Sequence, residues 1–399
     1  MTKPLEGVKV LELGQLIAGP FAGKFFADFG AEVIKVEPPG GDPLRKWRNL
    51  HRGTSLWWYV QNRNKKSVTA DLRLPEGQEV VRRIAKHADV VIENFRPGTL
   101  EKWGLGYERL AADNPGLVML RLSGFGQSGP YRDQTGFGAI AESMGGLRYV
   151  TGFPDRPPVR PNLSIGDALA SLHGVIGVLM ALHHRDANGG RSSGRGQVVD
   201  CALYEAVFNM MEGALPEYDL FGETRERTGS NLTGIVPSNT YLTSDGQHIV
   251  IGANADSIFK RLMHMIGRGD LAEDPSLADN AGRAKRADEL DHAIGAWTGK
   301  LSAEAVLAAL AGAQVPSSKI YSIADIASDA QYLARDMIRR VKLGDGTALK
   351  VPGVVPRLSD TPGDIDWVGP ELGEHTESVL AAHGYARDEI AGLRSRKAI

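Results

Sequence analysis

The sequence has 399 residues, 42% of them hydrophobic, and a formal net charge of −2 with histidine neutral. That length allows two or three domains of roughly 100–200 residues, and the apolar share excludes a disordered chain. A near-neutral balance without a long run of like charge excludes a general attraction to nucleic acid, and a lone cysteine, Cys201, excludes an internal disulfide.

The opening MTKPLEGVKVLEL lacks the apolar run of a signal peptide and passes straight into a strand pattern. Residues 8–13 read as a strand, 21–29 as a helix stopped by Gly30, and 32–37 as a second strand. Strand, helix, strand implies parallel pairing. The rhythm continues with a helix over 77–88 behind Pro75, a strand over 89–94 and another over 117–123. These elements predict a Rossmann-like, doubly wound open parallel sheet. Residues 167–185 have helical spacing, with Asp167 at the N-cap position. The longest apolar run, 174–182, is shorter than the ~20 residues of a membrane span, so a soluble cytoplasmic protein is expected. A short strand over 196–200 leads into a helix over 204–212.

Near residue 219 the texture changes to a polar connector. A hairpin follows with its turn at Asp245-Gly246, then helices over 256–266, 283–300 and 303–311. This predicts a smaller α+β domain. A second hairpin turns at Asp345-Gly346, residues 352–370 are rich in Pro, Gly and Asp, and 374–386 reads as a terminal helix. The expected organisation is a large α/β domain over 1–218, a smaller domain over 219–324, and a segment over 325–399 that returns to the large domain.

The first strand–loop–helix invites a dinucleotide reading, with Glu37 where an acidic ribose partner would sit. The loop, however, is GQLIAGP, with neither G-x-G-x-x-G nor a Walker lysine. Its glycines make a tight turn that leaves residues 16–18 as backbone near a ligand. The ten histidines are scattered, His183 and His184 do not share a helix face, and no metal-ligand spacing occurs, so no metal is expected. Ser164 lies in no G-x-S-x-G, and Cys201 reads as a small buried thiol. Asp167 reads locally as a helix cap worth about 1 kcal/mol. The helix dipole that favours such a cap also favours a negative charge there. Arg45, Lys46, Arg48, Arg63, Lys65, Lys66, Arg96 and Lys102 suit either a solvated rim or a phosphate-lined entrance, with Trp57, Trp58 or Trp103 to stack on a base.

Longer phrases carry a resemblance over nearly the whole chain. PLEGVKVLELGQLIAGPFAGKFFADFGAEVIKVEPPGGDPLRKW, NRNKKSVTADL, VIENFRPGTLEKWGL, SGFGQSGPYRD, GRGQVVDCALYEA and LGEHTESVLAAHGY resemble, in order, the class III CoA-transferases, the family of formyl-CoA and carnitine-CoA transferases. The resemblance implies an interlocked homodimer and coenzyme A thioesters as substrates, with no permanently bound cofactor. It implies that Asp167, in the Gly166-Asp167 pair, is the nucleophile. Leu16, Ile17 and Ala18 match pantetheine and backbone contacts, and Leu72 matches an adenine neighbour. Asn94 and Phe95 match a pair under the nucleotide, Lys102 and Trp103 match a basic-plus-bulky pair, and Phe137 stands where relatives often have tyrosine. Pro38 stands where some relatives have a phosphate-binding arginine, which passes that task to Arg45. Thr135 replaces a lysine of the oxalate-using enzymes, and their four-glycine loop is absent between Leu220 and Lys260. The resemblance therefore points to succinyl-CoA as donor and a short dicarboxylate, or an analogue such as a sulfinate, as acceptor. Two alternatives remain in view. An α-methylacyl-CoA racemase of the same superfamily needs a proton-transferring histidine that residues 131–138 lack. A non-catalytic CoA-binding dimer would need no carboxylate at position 167.

Overall fold

Alternating apolar residues set the main sheet. Val10, Val33, Ile92 and Leu120 face one hydrophobic core, and Leu11, Ile34, Val91 and Met119 face another on the opposite side. The computed structural model describes residues 2–399. Its six-stranded sheet comprises β1 (Lys9–Glu12), β2 (Glu32–Glu37), β3 (Lys65–Thr69), β4 (Val90–Glu93), β5 (Val118–Ser123) and β6 (Val198–Ala202). Every pairing is parallel, in the order β3-β2-β1-β4-β5-β6. The order reverses beside β1, and open α/β sheets bind ligands outside the carboxyl ends of their strands at such a point.

Helix α1 (Ala18–Asp28) follows β1, and α2 (Pro75–Ala85) follows β3. Then come α3 (Gly138–Met144), α4 (Ile165–Ala187) and α5 (Leu203–Phe208). The buried stripe of α4 is Ala170, Ser171, Gly174, Val178, Ala181, Leu182 and Arg185. Small residues let it approach the sheet closely: a Cβ on Gly174 would lie 2.8 Å from Leu120 Cδ1. Its 23 residues make α4 long and apolar enough, by length and composition, to cross a membrane. The interrupted apolar run in the sequence did not suggest this. In the fold its buried stripe packs in the core beside β5, as the central helix of a layered domain does.

The chain forms two units. The first takes in the chain up to Leu147, Pro161–Glu212 and Leu333–Ile399, and the second takes in Arg148–Arg160 and Gly213–Tyr332. The second unit holds an antiparallel sheet of β7 (Ser238–Leu242), β8 (His248–Gly252) and β9 (Ser317–Lys319). Against it pack α6 (Asp256–Met265), α7 (Ala287–Thr298) and α8 (Ala303–Gly312), through Phe259, Leu262, Leu290, Ile294, Val306 and Leu310. The helix expected over 283–300 is broken at Arg286, where a short helix Asn280–Lys285 ends. Arg283 is fully buried there and donates to the carbonyls of Val236, Leu277 and Asn254, which fixes the earlier turn separately. The hairpin of β10 (Ile338–Lys342) and β11 (Ala348–Pro352) belongs to the first unit, as do α9 (Thr376–Ala382) and α10 (Arg387–Ser395).

Two elements are absent from the sequence reading, and one local expectation needs correction. Strand β3 reads as polar sequence, yet Lys65 and Ser67 are fully buried in it. Helix α10 offers only Ile390 and Leu393 to the core, too sparse a pattern to recognise. Asp167 is not an N-cap: Ser164 holds that place and Asp167 is the third helical residue. The helix starts earlier because Gly166 fits against the Gly138 carbonyl, which a Cβ at 166 would approach to 2.9 Å.

Arg63, suited by sequence to a solvated rim or a phosphate-lined entrance, instead clamps the returning C-terminal segment. It donates to both carboxylate oxygens of Asp28, at 2.8 and 2.7 Å, and to the carbonyls of Pro352 and Gly353. Both side chains of the pair are almost wholly buried. Arg63→Met leaves the buried Asp28 carboxylate with Lys24 at 3.0 Å and the Asn64 amide but without its bidentate partner, and is expected to cost about 3 kcal/mol in chemical denaturation. Hydrogen exchange should quicken around residues 352–366.

Candidate active site

The loop from β1 to α1 lies at the strand-order reversal, and each of its residues is held from a different direction. Gly14 and Gly19 pass so closely that a Cβ on either would lie 2.8 Å from the other's Cα. The Asn94 side chain, at the end of β4, accepts from the Gln15 N–H at 2.8 Å and donates to the Gln15 carbonyl at 2.9 Å. Leu16 has φ +62°, in the left-handed region that a branched side chain rarely adopts. Its N–H donates to Asp42 Oδ1 and Oδ2 at 3.1 and 3.2 Å. Ile17 is buried, and its carbonyl accepts from Gln61 Nε2. The Ala18 carbonyl accepts from the buried Ser171 hydroxyl on α4 at 2.7 Å.

Ser171 joins this loop to the backbone of Asp167. Its oxygen is also 2.7 Å from the Asp167 carbonyl one turn earlier, and its single proton serves the two acceptors. Asp167 is half-buried in the first turn of α4. Gly138 closes one side of it: a Cβ there would lie 2.1 Å from Asp167 Oδ2. Beneath, the fully buried Glu142 lies 3.4 Å from the Gly166 N–H. Phe137, immediately before Gly138, is 65% exposed, so its ring is open to a ligand.

The remaining residues singled out in the sequence divide into two groups. Leu72, Phe95 and Trp103 are partly buried against one core cluster, and the Phe95 and Trp103 rings meet edge-on at 5.3 Å. Lys102 beside them is exposed. Arg45 is different. It is buried, donates through Nε and Nη2 to both oxygens of Glu37 at 2.8 Å, and lies 3.6 Å from the centre of the Trp58 ring. A guanidinium engaged in this way supports the end of β2. Cys201 is buried, donates to the Ala170 carbonyl, and has its thiol pushed up to about 12 by burial and then by Glu205 and Asp200. His183 and His184 are exposed near the end of α4. Among the described residues no group of three or more His, Cys, Asp or Glu side chains is arranged for a metal.

Sequence reasoning missed the charged residues inside the strands. Glu93 is 1% exposed; it accepts from the Phe95 N–H at 2.7 Å and from Arg121 Nε at 2.8 Å. Arg121 reaches on to Glu101 at 2.7 Å and so holds the turn that carries Lys102 and Trp103. Burial raises the Glu93 carboxyl to about 7, against the opposing pull of Arg121 and the Phe95 N–H. The available signal was a charge near the carboxyl end of each apolar strand: Glu12, Glu37, Glu93 and Arg121 all stand there.

Comparison with known proteins adds the following. The family model described as CoA-transferase family III matches residues 5–376. The chain is 52% identical to a succinyl-CoA–D-citramalate CoA-transferase of Chloroflexus aurantiacus, over all of this chain and 98% of that protein. It is 36% identical to a succinate–glutarate CoA-transferase of Agrobacterium fabrum, over 95% of each. Among solved structures, a CAIB/BAIF family protein from Brucella suis superposes with a TM-score of 0.82 at 35% identity, covering 96% of this chain and all of that one.

Two outcomes follow from the geometry. Gly138→Ala should drive the Asp167 carboxylate from its position and lower turnover by about 10²-fold or more in a steady-state assay. The Glu93 carboxyl titrates near 7 in the folded protein against a usual 4.5, so the folded state holds the extra proton between those values. Its contribution to stability is therefore complete below about 4.5 and is lost as pH rises through about 7. Glu93→Gln lacks this dependence, so its deficit in melting temperature relative to the parent should shrink from pH 5 to pH 8.

Proposed function

Because the chain belongs to CoA-transferase family III, we propose that it carries coenzyme A from succinyl-CoA to a short organic acid by way of an acylated Asp167. The observation that carries this reading is the position of Asp167. It sits in the first turn of α4, walled by Gly138, on a helix bonded through Ser171 to the loop at the strand-order reversal. The donor and acceptor are supported by the two relatives, whose names pair succinyl-CoA with D-citramalate and succinate with glutarate. Both acids are short dicarboxylates, and a sulfinate analogue falls in the same acceptor class.

The chemistry is covalent catalysis by a carboxylate. Asp167 attacks the thioester carbonyl of succinyl-CoA, the C–S bond breaks, and a mixed anhydride forms as CoA thiolate leaves. The thiolate attacks the aspartyl carbonyl, giving an aspartyl-CoA thioester and free succinate. The acceptor carboxylate then attacks this thioester, expelling the thiolate and forming a second anhydride. Attack of the thiolate on the acceptor's acyl carbon yields the new acyl-CoA and restores Asp167. Each intermediate conserves the energy of an activated acyl group, so no nucleotide is consumed. Solvent must be excluded or the anhydride hydrolyses.

Leu16, Ile17 and Ala18 take the pantetheine arm, Leu72, Phe95 and Trp103 the adenine end, and Lys102 a phosphate. Asn94 acts by holding Gln15, and Arg45 by supporting the end of β2. Phe137 covers the approach to Asp167. The enzyme works as a soluble cytoplasmic homodimer. Support for a dimer comes from α4, which leaves Leu172, Ile176, Leu179 and Met180 exposed at near-helical spacing.

The test is chemical trapping. Incubation with succinyl-CoA, then hydroxylamine or borohydride, should modify residue 167 in a peptide digest, and Asp167→Ala should abolish transfer while retaining CoA binding. Transfer in Asp167→Ala at the parental rate would overturn the mechanism. Exchange of an α-proton into deuterated water without exchange of acids would favour the racemase. Mass spectrometry of CoA products from a panel of short acids identifies the acceptor.

A further inference from the structure

Under the β1–α1 loop lies a cluster of buried charges that the proposed chemistry does not use. Lys35, in register with Glu12 on the neighbouring strand, is 1% exposed. Its ammonium group has three partners for three protons: Glu12 Oε1 at 3.0 Å, Asp42 Oδ2 at 2.9 Å and the Gly14 carbonyl at 2.7 Å. Lys65, fully buried, is likewise surrounded by Glu12 Oε2 at 2.7 Å, the Pro20 carbonyl at 2.8 Å and Asn62 at 2.9 Å. Two cations and two carboxylates neutralise one another out of reach of water. Burial works against each charge; for Lys35 the carboxylates of Asp42, Glu12 and Glu37 outweigh it and raise the pKa. For Lys65 burial prevails, with Lys35 adding to it, and the group falls to about 8.

The cluster reaches the loop through one residue. Asp42 is 2% exposed, and Oδ1 accepts from the N–H groups of Leu16 and Leu44 while Oδ2 faces Lys35. The Asp42 N–H is itself fixed by Glu37 Oε2 at 3.0 Å, and Glu37 is clamped by Arg45 and by Ser67 at 2.6 Å. Leu16 is the loop residue with the costly backbone, since φ +62° without glycine requires surroundings that hold it. We infer that Asp42, fixed by Lys35, is a positioning residue that preorganises the Leu16 backbone for the CoA thioester. This rests on the reading that residues 16–18 contact coenzyme A. Neither side chain touches substrate. Their effect is to prepare the loop before binding, so that its ordering is not charged against affinity.

The experiment uses the full-length chain and free coenzyme A as the probe. In the parent, CoA should slow hydrogen exchange of the amides in residues 14–19. Asp42→Ala should weaken CoA binding by calorimetry, and raise KM for succinyl-CoA, by about tenfold, with kcat within about threefold of the parent. Asp42→Asn keeps an acceptor for Leu16 but turns its amide away from, or against, Lys35, and should fall between the two; it also serves if Asp42→Ala does not fold. Arg63→Met breaks a buried ion pair elsewhere in the same unit and should lower thermal stability without moving KM. Protection of 14–19 in the parent, with parental KM in both Asp42 variants, would overturn the inference and leave the loop assignment standing. Absence of protection would overturn the loop assignment, and the inference with it.

Discussion

The site depends on mutual neutralisation of charges where the carboxyl end of β1 meets Lys35 within β2 and Lys65 at the amino end of β3. A lone carboxylate or ammonium taken from water into a protein interior costs several kcal/mol even after relaxation, and removing one partner of a buried pair exposes that cost. Glu12, Lys35, Asp42 and Lys65 meet it collectively, because each lysine ammonium has three oxygen atoms within 3.0 Å. Their arrangement is set by the parallel register that puts Glu12 beside Lys35. The sheet thus ends in a polar platform of fixed geometry, and the loop above inherits its shape from hydrogen bonds to that platform.

A second constraint is close backbone approach. Gly14 against Gly19 narrows the turn leading into α1. Gly138 and Gly166 leave just enough room for the Asp167 carboxylate and no room for a methyl group. These contacts and the Ser171 bridge hold Asp167 and the loop through short, buried links. The proposed covalent route benefits from such a fixed position, because each of its steps repeats over the same few atoms.

Much of this was legible along the chain. The strand, helix, strand rhythm of the first third marked a parallel sheet, and β2 lies at the residues expected of it. The ordered phrases pointed to the family, and the gap left by a missing G-x-G-x-x-G turned attention from dinucleotides. What escaped notice shares one cause. Lys65, Arg63, Glu93 and Arg121 look like surface residues in a hydropathy pattern, yet each is buried against a specific partner. Burial of a charge is decided by what lies opposite, and in every one of these cases the partner is on a different element. Helix α10 was missed for a related reason: two apolar residues suffice when the core they enter is supplied by other parts of the chain.

The sequence by itself determined the α/β class, the alternation of core positions and the family, because those are written in local periodicity and in contiguous phrases. Only the tertiary structure decided that Asp167 lies inside the first turn of α4, that Arg45 faces Glu37, and that Leu16 is held by Asp42. Each is a contact between residues apart in the chain, set by strand order and register, and a hydrogen bond or ion pair depends on distances of a few tenths of an ångström that no spacing along a chain encodes.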